Sequence, residues 1–116
     1  MHAFDVLGDP VRRRIIELLA GRELPAGEIA EKIRREFGIS QPAVSAHLRV
    51  LRDSGFASAR PDGARRLYSV EGEPLAEVEE WASRMRGFWN GRMRALDTEL
   101  ARGRRARRER RGERRE

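Results

Sequence analysis

The sequence predicts a mainly α fold that carries one small β-hairpin and ends in a long helix. Apolar residues recur every three or four positions in four separate stretches, as amphipathic helices require. Residues 56–70 instead flank Pro61-Asp62-Gly63 with two short runs of strand-forming residues, the pattern of a hairpin. The chain of 116 residues has the length of one domain. With 39% hydrophobic and 38% charged residues, it can close a core only if its apolar positions are gathered on strict faces.

Each element has a local reason. Phe4 and Leu7 form a short apolar lead-in, and Asp9-Pro10 then supplies an N-cap carboxylate followed by proline at the first helical position. Val11, Ile15, Leu18 and Leu19 share one face of the helix that starts there, and Gly21 offers its stop. A second helix opens near Pro25, repeats Ile29, Ile33 and Phe37, and ends at Gly38. Ser40 is the N-cap of a third, in which Val44, Leu48 and Leu51 make the buried stripe and Gly55 closes the helix. At about 100° per residue, Pro42, Ala46, Arg49, Val50 and Asp53 point away from that stripe, with Gln41 and Ser45 on one flank and His47 on the other. Strands over 56–60 and 65–70 follow, joined by a reversal at Asp62-Gly63. From Pro74 a helix returns, with Leu75, Val78, Ala82, Met85, Trp89, Met93, Leu96 and Leu100 inside an arc of about 80° and Trp81 and Phe88 widening it. That stripe is wider than one small core can cover, so its natural partner is a second copy of the chain, a homodimer. The expected division is a domain over 1–100 and an Arg-rich, disordered tail over 101–116, in which Gly103 and Gly112 interrupt any helix.

Composition excludes several classes of function. The absence of cysteine removes disulfides, thiolate nucleophiles, thiolate metal sites and iron–sulfur clusters. The expectation is a cytoplasmic protein that binds no membrane, since no basic leader and no apolar run of spanning length is present. Ser45 and His47 lie two apart on a helix and point in different directions, so no nucleophile–base pair forms, and no phosphate-loop or zinc-hydrolase string occurs. Neither an enzyme, a cofactor nor a metal site is expected.

Charge points to a polyanion. The net charge of +6 is uneven: residues 101–116 carry nine arginines against three glutamates, which equals the whole excess. Residues 40–70 hold five arginines against two aspartates, and residues 71–100 hold four against seven acids. A helix, a two-residue link, an N-capped helix and a basic hairpin are the order of a winged helix-turn-helix, which suits duplex DNA. Gln41 can pair with adenine, Ser45 can donate or accept, and Pro42, Ala43 and Ala46 allow close approach to the major groove. Amides near Ser40 and the side chain of Arg49 can take phosphates, and Arg60, Arg65 and Arg66 at the hairpin tip can reach phosphates or the adjacent minor groove. His47 borders the Val44 and Leu48 stripe, so a contact to DNA and a place at the edge of the core are both open to it.

These motifs resemble the ArsR/SmtB-type winged-helix repressors. The resemblance rests on FDVLGDPVRRRIIELL (4–19), GEIAEKI (27–33), SQPAVSAHLRVLRDSGF (40–56) and DGARRLYSV (62–70). It implies a dimeric, operator-binding repressor with a recognition helix over 40–54, a wing over 56–70 and a dimer made by the first and last helices, to which Phe4 and Leu7 contribute. Ser40, Gln41, Ser45 and His47 match the family's DNA-facing positions. The chain departs from the pattern in three places: Ala46 stands where many relatives carry a basic residue, IRREF (33–37) lengthens the helix before the turn, and residues 74–100 contain no histidine for a metal site. A winged-helix dimer that serves as a protein-interaction adaptor is the alternative, and it would want exposed apolar groups where the recognition helix carries small and polar ones.

Overall fold

The computed structural model describes residues 2–115, which divide after Glu79 into two units. The first unit opens with helix α1 (Ala3–Leu7), so the expected apolar lead-in is itself a short helix, capped by His2. Helix α2 (Pro10–Leu18) starts where Asp9 Oδ1 accepts from the Val11 amide at 2.8 Å, and it buries Val11, Ile15 and Leu18. A two-residue strand β1 (Leu24–Pro25) leads into helix α3 (Ala26–Phe37). Gly38 ends α3 with φ at 67°, a left-handed geometry that glycine adopts without steric cost. Phe37, expected on the buried stripe, is 38% exposed because the last turn of this long helix runs past the core.

Helix α4 (Gln41–Asp53) follows almost at once, with the Ser40 hydroxyl accepting from the Ala43 amide at 3.2 Å. Val44, Leu48 and Leu51 are buried, and Val50, expected to face solvent, is half-buried against the core edge. The helix closes in a Schellman motif: the Phe56 amide donates to Leu51 O at 2.9 Å, the Gly55 amide donates to Arg52 O at 3.1 Å, and Gly55 takes φ 79°. Phe56 is fully buried, and its carbonyl accepts from the Glu71 amide at 2.8 Å, so one residue ties the end of α4 to the end of the wing.

The wing consists of β2 (Ala57–Asp62) and β3 (Arg65–Val70). Its reversal falls on Gly63-Ala64, one residue later than expected, because Asp62 pairs with Arg65 and Gly63 supplies the positive φ of 62°. Pro61 is tolerated because β2 is an edge strand of the sheet, whose order is β1-β3-β2. Tyr68 in the central strand faces Leu24 on one side and Ala59 on the other, which puts all three on the core side of the pleat. β1 has too few residues to show an alternation and exists through its pairing with β3.

Helix α5 (Glu73–Arg115) begins in the first unit, where Leu75 and Val78 are partly buried against the core. From Trp81 onward its large apolar side chains are exposed. The expected interruptions at Gly103 and Gly112 do not occur, and the helix passes through both. Arginine, alanine and glutamate around them are strong helix formers, and a single glycine costs only about 1 kcal/mol relative to alanine. Among the described residues, no helix is long and apolar enough to cross a membrane.

Candidate nucleic-acid interface

With Val44, Leu48 and Leu51 turned into the core, α4 presents Gln41, Pro42, Ser45, Ala46 and Arg49 on its outer face, all exposed. Ala43 and His47, one turn apart, are half-buried along one margin. This face is small and polar, with one cation at its C-terminal side, which is the chemistry that base edges and phosphates need. The exposed Ser40 hydroxyl already accepts one helical amide, so it fixes the start of α4 as well as facing solvent.

His47 belongs to a structural network. Its Nδ1 lies 3.5 Å from a guanidinium nitrogen of Arg12, whose side chain is only 13% exposed. Arg12 also donates to Val6 O at 2.8 Å and to Asp5 O at 2.9 Å, clamping α1 onto α2 beneath the edge of α4. Arg12 stands in the run Arg12-Arg13-Arg14, and nothing in that run marks the first arginine as the one most drawn into the fold.

The three wing arginines are separated. Register places Arg60 and Arg65 on the solvent face of the ribbon and Arg66, opposite Pro61, on the other face. Arg60 Nε donates to Glu23 at 2.8 Å and Arg65 donates to Asp62 at 3.0 Å, so both positive charges are partly neutralised. Arg60 therefore braces the middle of the wing against the loop before β1, whereas the tip itself holds Arg65 and Arg66. Exposed Arg66, Arg49 and Arg52 have no acidic partner among the described residues, and Arg52 was not anticipated as part of the site. Beside Arg66, a cleft of about 550 Å³ is lined by Pro25, Ala26, Gly27, Glu28, Ala64 and Arg65.

The turn between the two helices is braced from outside. Arg14 on α2 donates to both carboxylate oxygens of Glu36 on α3, at 2.9 and 3.0 Å. These hydrogen bonds, with the mutual attraction of the charges, hold the Glu36 carboxyl below its ordinary value and the Arg14 guanidinium above its own. The lengthened helix noted in the sequence is what supplies Glu36. Among the described residues no group of three His, Asp or Glu side chains could hold a metal ion.

The residues expected at a dimer interface fall into two groups. Leu7, Leu75 and Val78 pack partly on the core of their own unit, and Phe4 is 39% exposed. In the second unit Trp81, Met85, Phe88, Trp89, Met93 and Leu96 are exposed at 41–61%. Trp89 borders an open groove with Arg92, Met93 and Leu96.

A family model for a helix-turn-helix domain matches residues 7–58, which contain α2, α3 and α4. The HTH-type transcriptional regulator Rv2034 of Mycobacterium tuberculosis is 39% identical over 75% of this chain and 75% of its own length. Solved ArsR-family regulators share the fold. The chain belongs to the ArsR family of helix-turn-helix transcriptional regulators. The transcriptional repressor SdpR of Bacillus subtilis is 35% identical over 69% of this chain and 84% of that protein. The solution structure of the homodimeric winged helix-turn-helix DNA-binding domain of Mb0332 from Mycobacterium bovis, a candidate ArsR-family regulator, is also similar. It has a TM-score of 0.55 at 27% identity, covering 73% of this chain and 75% of that one.

Proposed function

We propose that the chain is a homodimeric, sequence-specific DNA-binding repressor that places α4 in the major groove of a pseudo-palindromic operator. The observation that carries this reading is the outer face of α4, exposed, small and polar, held at a defined start by Ser40 and at a defined end by Gly55. Gln41 pairs with an adenine edge, Ser45 adapts to either donor or acceptor, and Pro42, Ala43 and Ala46 let the helix approach closely. Arg49, Arg66 and the amides at Ser40 take phosphates, while Arg60 and Arg65 reach the backbone once their surface ion pairs open. His47 acts through Arg12 to set the seat of α4 and does not itself read bases. The similarity to a repressor and to a homodimeric DNA-binding domain supports both halves of the proposal.

The dimer forms through the exposed stripe of Met85, Trp89, Met93 and Leu96, extended by Trp81, Phe88 and Phe4. An adaptor would need apolar groups on α4, and that face offers none larger than Pro42 and Ala46. The protein works in the cytoplasm as a regulator without catalytic activity. Soft metals such as arsenite or cadmium do not release it, because the chain has no thiolate to bind them. Mobility shift with the DNA upstream of its own coding sequence tests the proposal: a complex that survives excess scrambled duplex is expected, and equal competition by both DNAs refutes sequence-specific reading.

A further inference from the structure

The far part of α5 carries a charge pattern that neither the recognition helix nor the wing uses. Between Arg102 and Arg111 there are seven arginines and one acid, Glu109. All seven side chains are exposed, and none has an acidic partner among the described residues, although Arg84 earlier in the helix pairs with Glu80. Arg107 instead donates to the Gly103 carbonyl of its own helix. At about 100° per residue, six of the seven fall within an arc of about 220°, with Ala106 and Glu109 on the opposite side. The line that carries Met85, Trp89, Met93, Leu96 and Leu100 continues as Gly103, Arg107, Arg110 and Arg111, so the apolar stripe turns cationic beyond Leu100. Two such segments side by side repel, and the fitting neighbour is therefore an anion.

We propose that residues 101–115 form a basic helical arm that grips the phosphate backbone of the same duplex DNA, adding affinity without sequence preference. This rests on the DNA-reading function proposed above. The stretch from Arg102 to Arg111 rises about 14 Å. Over that length a duplex presents roughly eight phosphate charges, a match for seven arginines. An anionic membrane is a poorer partner, because nothing in 101–115 is more apolar than alanine and an interfacial helix needs a buried apolar face.

The test compares the full chain with a full-length variant in which the seven arginines become glutamine, and with one in which they become lysine. Fluorescence anisotropy reads binding to the upstream duplex and to a scrambled duplex across a salt series, and circular dichroism checks that helix content is kept. The glutamine variant should lose about 0.9 from the slope of log affinity against log salt for each phosphate contact removed. Its affinity should fall at least about tenfold on both duplexes, leaving their ratio unchanged, since phosphates carry no base information. The lysine variant should keep the slope. If the glutamine variant retains the wild-type slope while the wild type still prefers the upstream duplex, the arm is a solvated end and the proposal fails with DNA reading intact. If the wild type shows no preference between duplexes, the reading function fails instead. Loss of binding only to single-stranded RNA or to phosphatidylserine vesicles, with the duplex slope retained, would assign the arm to that partner and overturn the proposal.

Discussion

The unit that ends at Glu79 and the helix that continues beyond it solve opposite problems. In the first, Phe56, Ile15, Leu19, Ile29, Ile33 and Leu51 are fully buried, and surface charges find partners across elements, as Arg14 does with Glu36 and Arg60 with Glu23. In the second, no described residue is buried, large apolar side chains are exposed along one line, and the arginines from Arg102 to Arg111 have no acidic partner among the described residues. A helix draws most of its stability in water from packing an apolar face, and an exposed apolar line leaves that packing to be supplied. The first unit has a core of its own, whereas the second exposes the surfaces that the proposed dimer and arm would use.

The sharpest way to break this contrast is to spoil the exposed stripe. Trp89→Glu together with Leu96→Glu should convert the dimer to monomers, because each large apolar side chain contributes about 1.5–3 kcal/mol on burial and symmetry counts each loss twice. Sedimentation that still finds a dimer would move the interface elsewhere. A core change separates the units next. Phe56→Ala should cost about 3–5 kcal/mol of unfolding free energy. Phe88→Ala, introduced into the monomeric double variant, should change it by less than about 0.5 kcal/mol. Similar shifts in thermal unfolding for both would mean that the second unit has a core of its own.

Within the first unit, reading and gripping should also separate. Gln41→Ala should cost about 1–3 kcal/mol of discrimination between upstream and scrambled DNA. Arg66→Ala should weaken both DNAs alike. Parallel losses in titrations of the Gln41 variant would show that α4 docks differently. The smallest effect concerns the brace on the turn. Because Arg14 holds the Glu36 carboxyl below its ordinary value, the pair stabilises the fold above that value and the contribution fades as pH falls through the lowered one. Glu36→Gln should therefore unfold slightly earlier than wild type near neutral pH and identically in acid; a gap that widens in acid would contradict the brace.

How much of this was legible in the sequence depended on the range of the interaction. The caps at Asp9 and Ser40, the stop at Gly38 and the stripe of Val44, Leu48 and Leu51 are local signals, and they define the reading face of α4 almost completely. Strand β1 is visible only through its pairing with β3. The ion pair of Arg60 with Glu23 joins residues far apart in the chain, so a basic hairpin tip looked more positive in sequence than it is in the fold. Arg12 carries no local mark of burial, and its contacts to Asp5, Val6 and His47 arise only when three helices meet. The helical course of the arginine segment is hidden in the sequence for a different reason: glycine reads locally as a breaker, while the helix formers around it outweigh one unfavourable residue.

The central claim is that a dimer reads DNA with two copies of α4, and a hydroxyl-radical footprint on the DNA upstream of the coding sequence tests it most directly. The full chain should protect two half-sites related by a dyad, their centres about 10 bp or a small multiple apart. The Gln41→Ala variant should lose that pattern while still binding duplex DNA through its arginines. A single asymmetric protected segment, or the same footprint from both proteins, would contradict the claim.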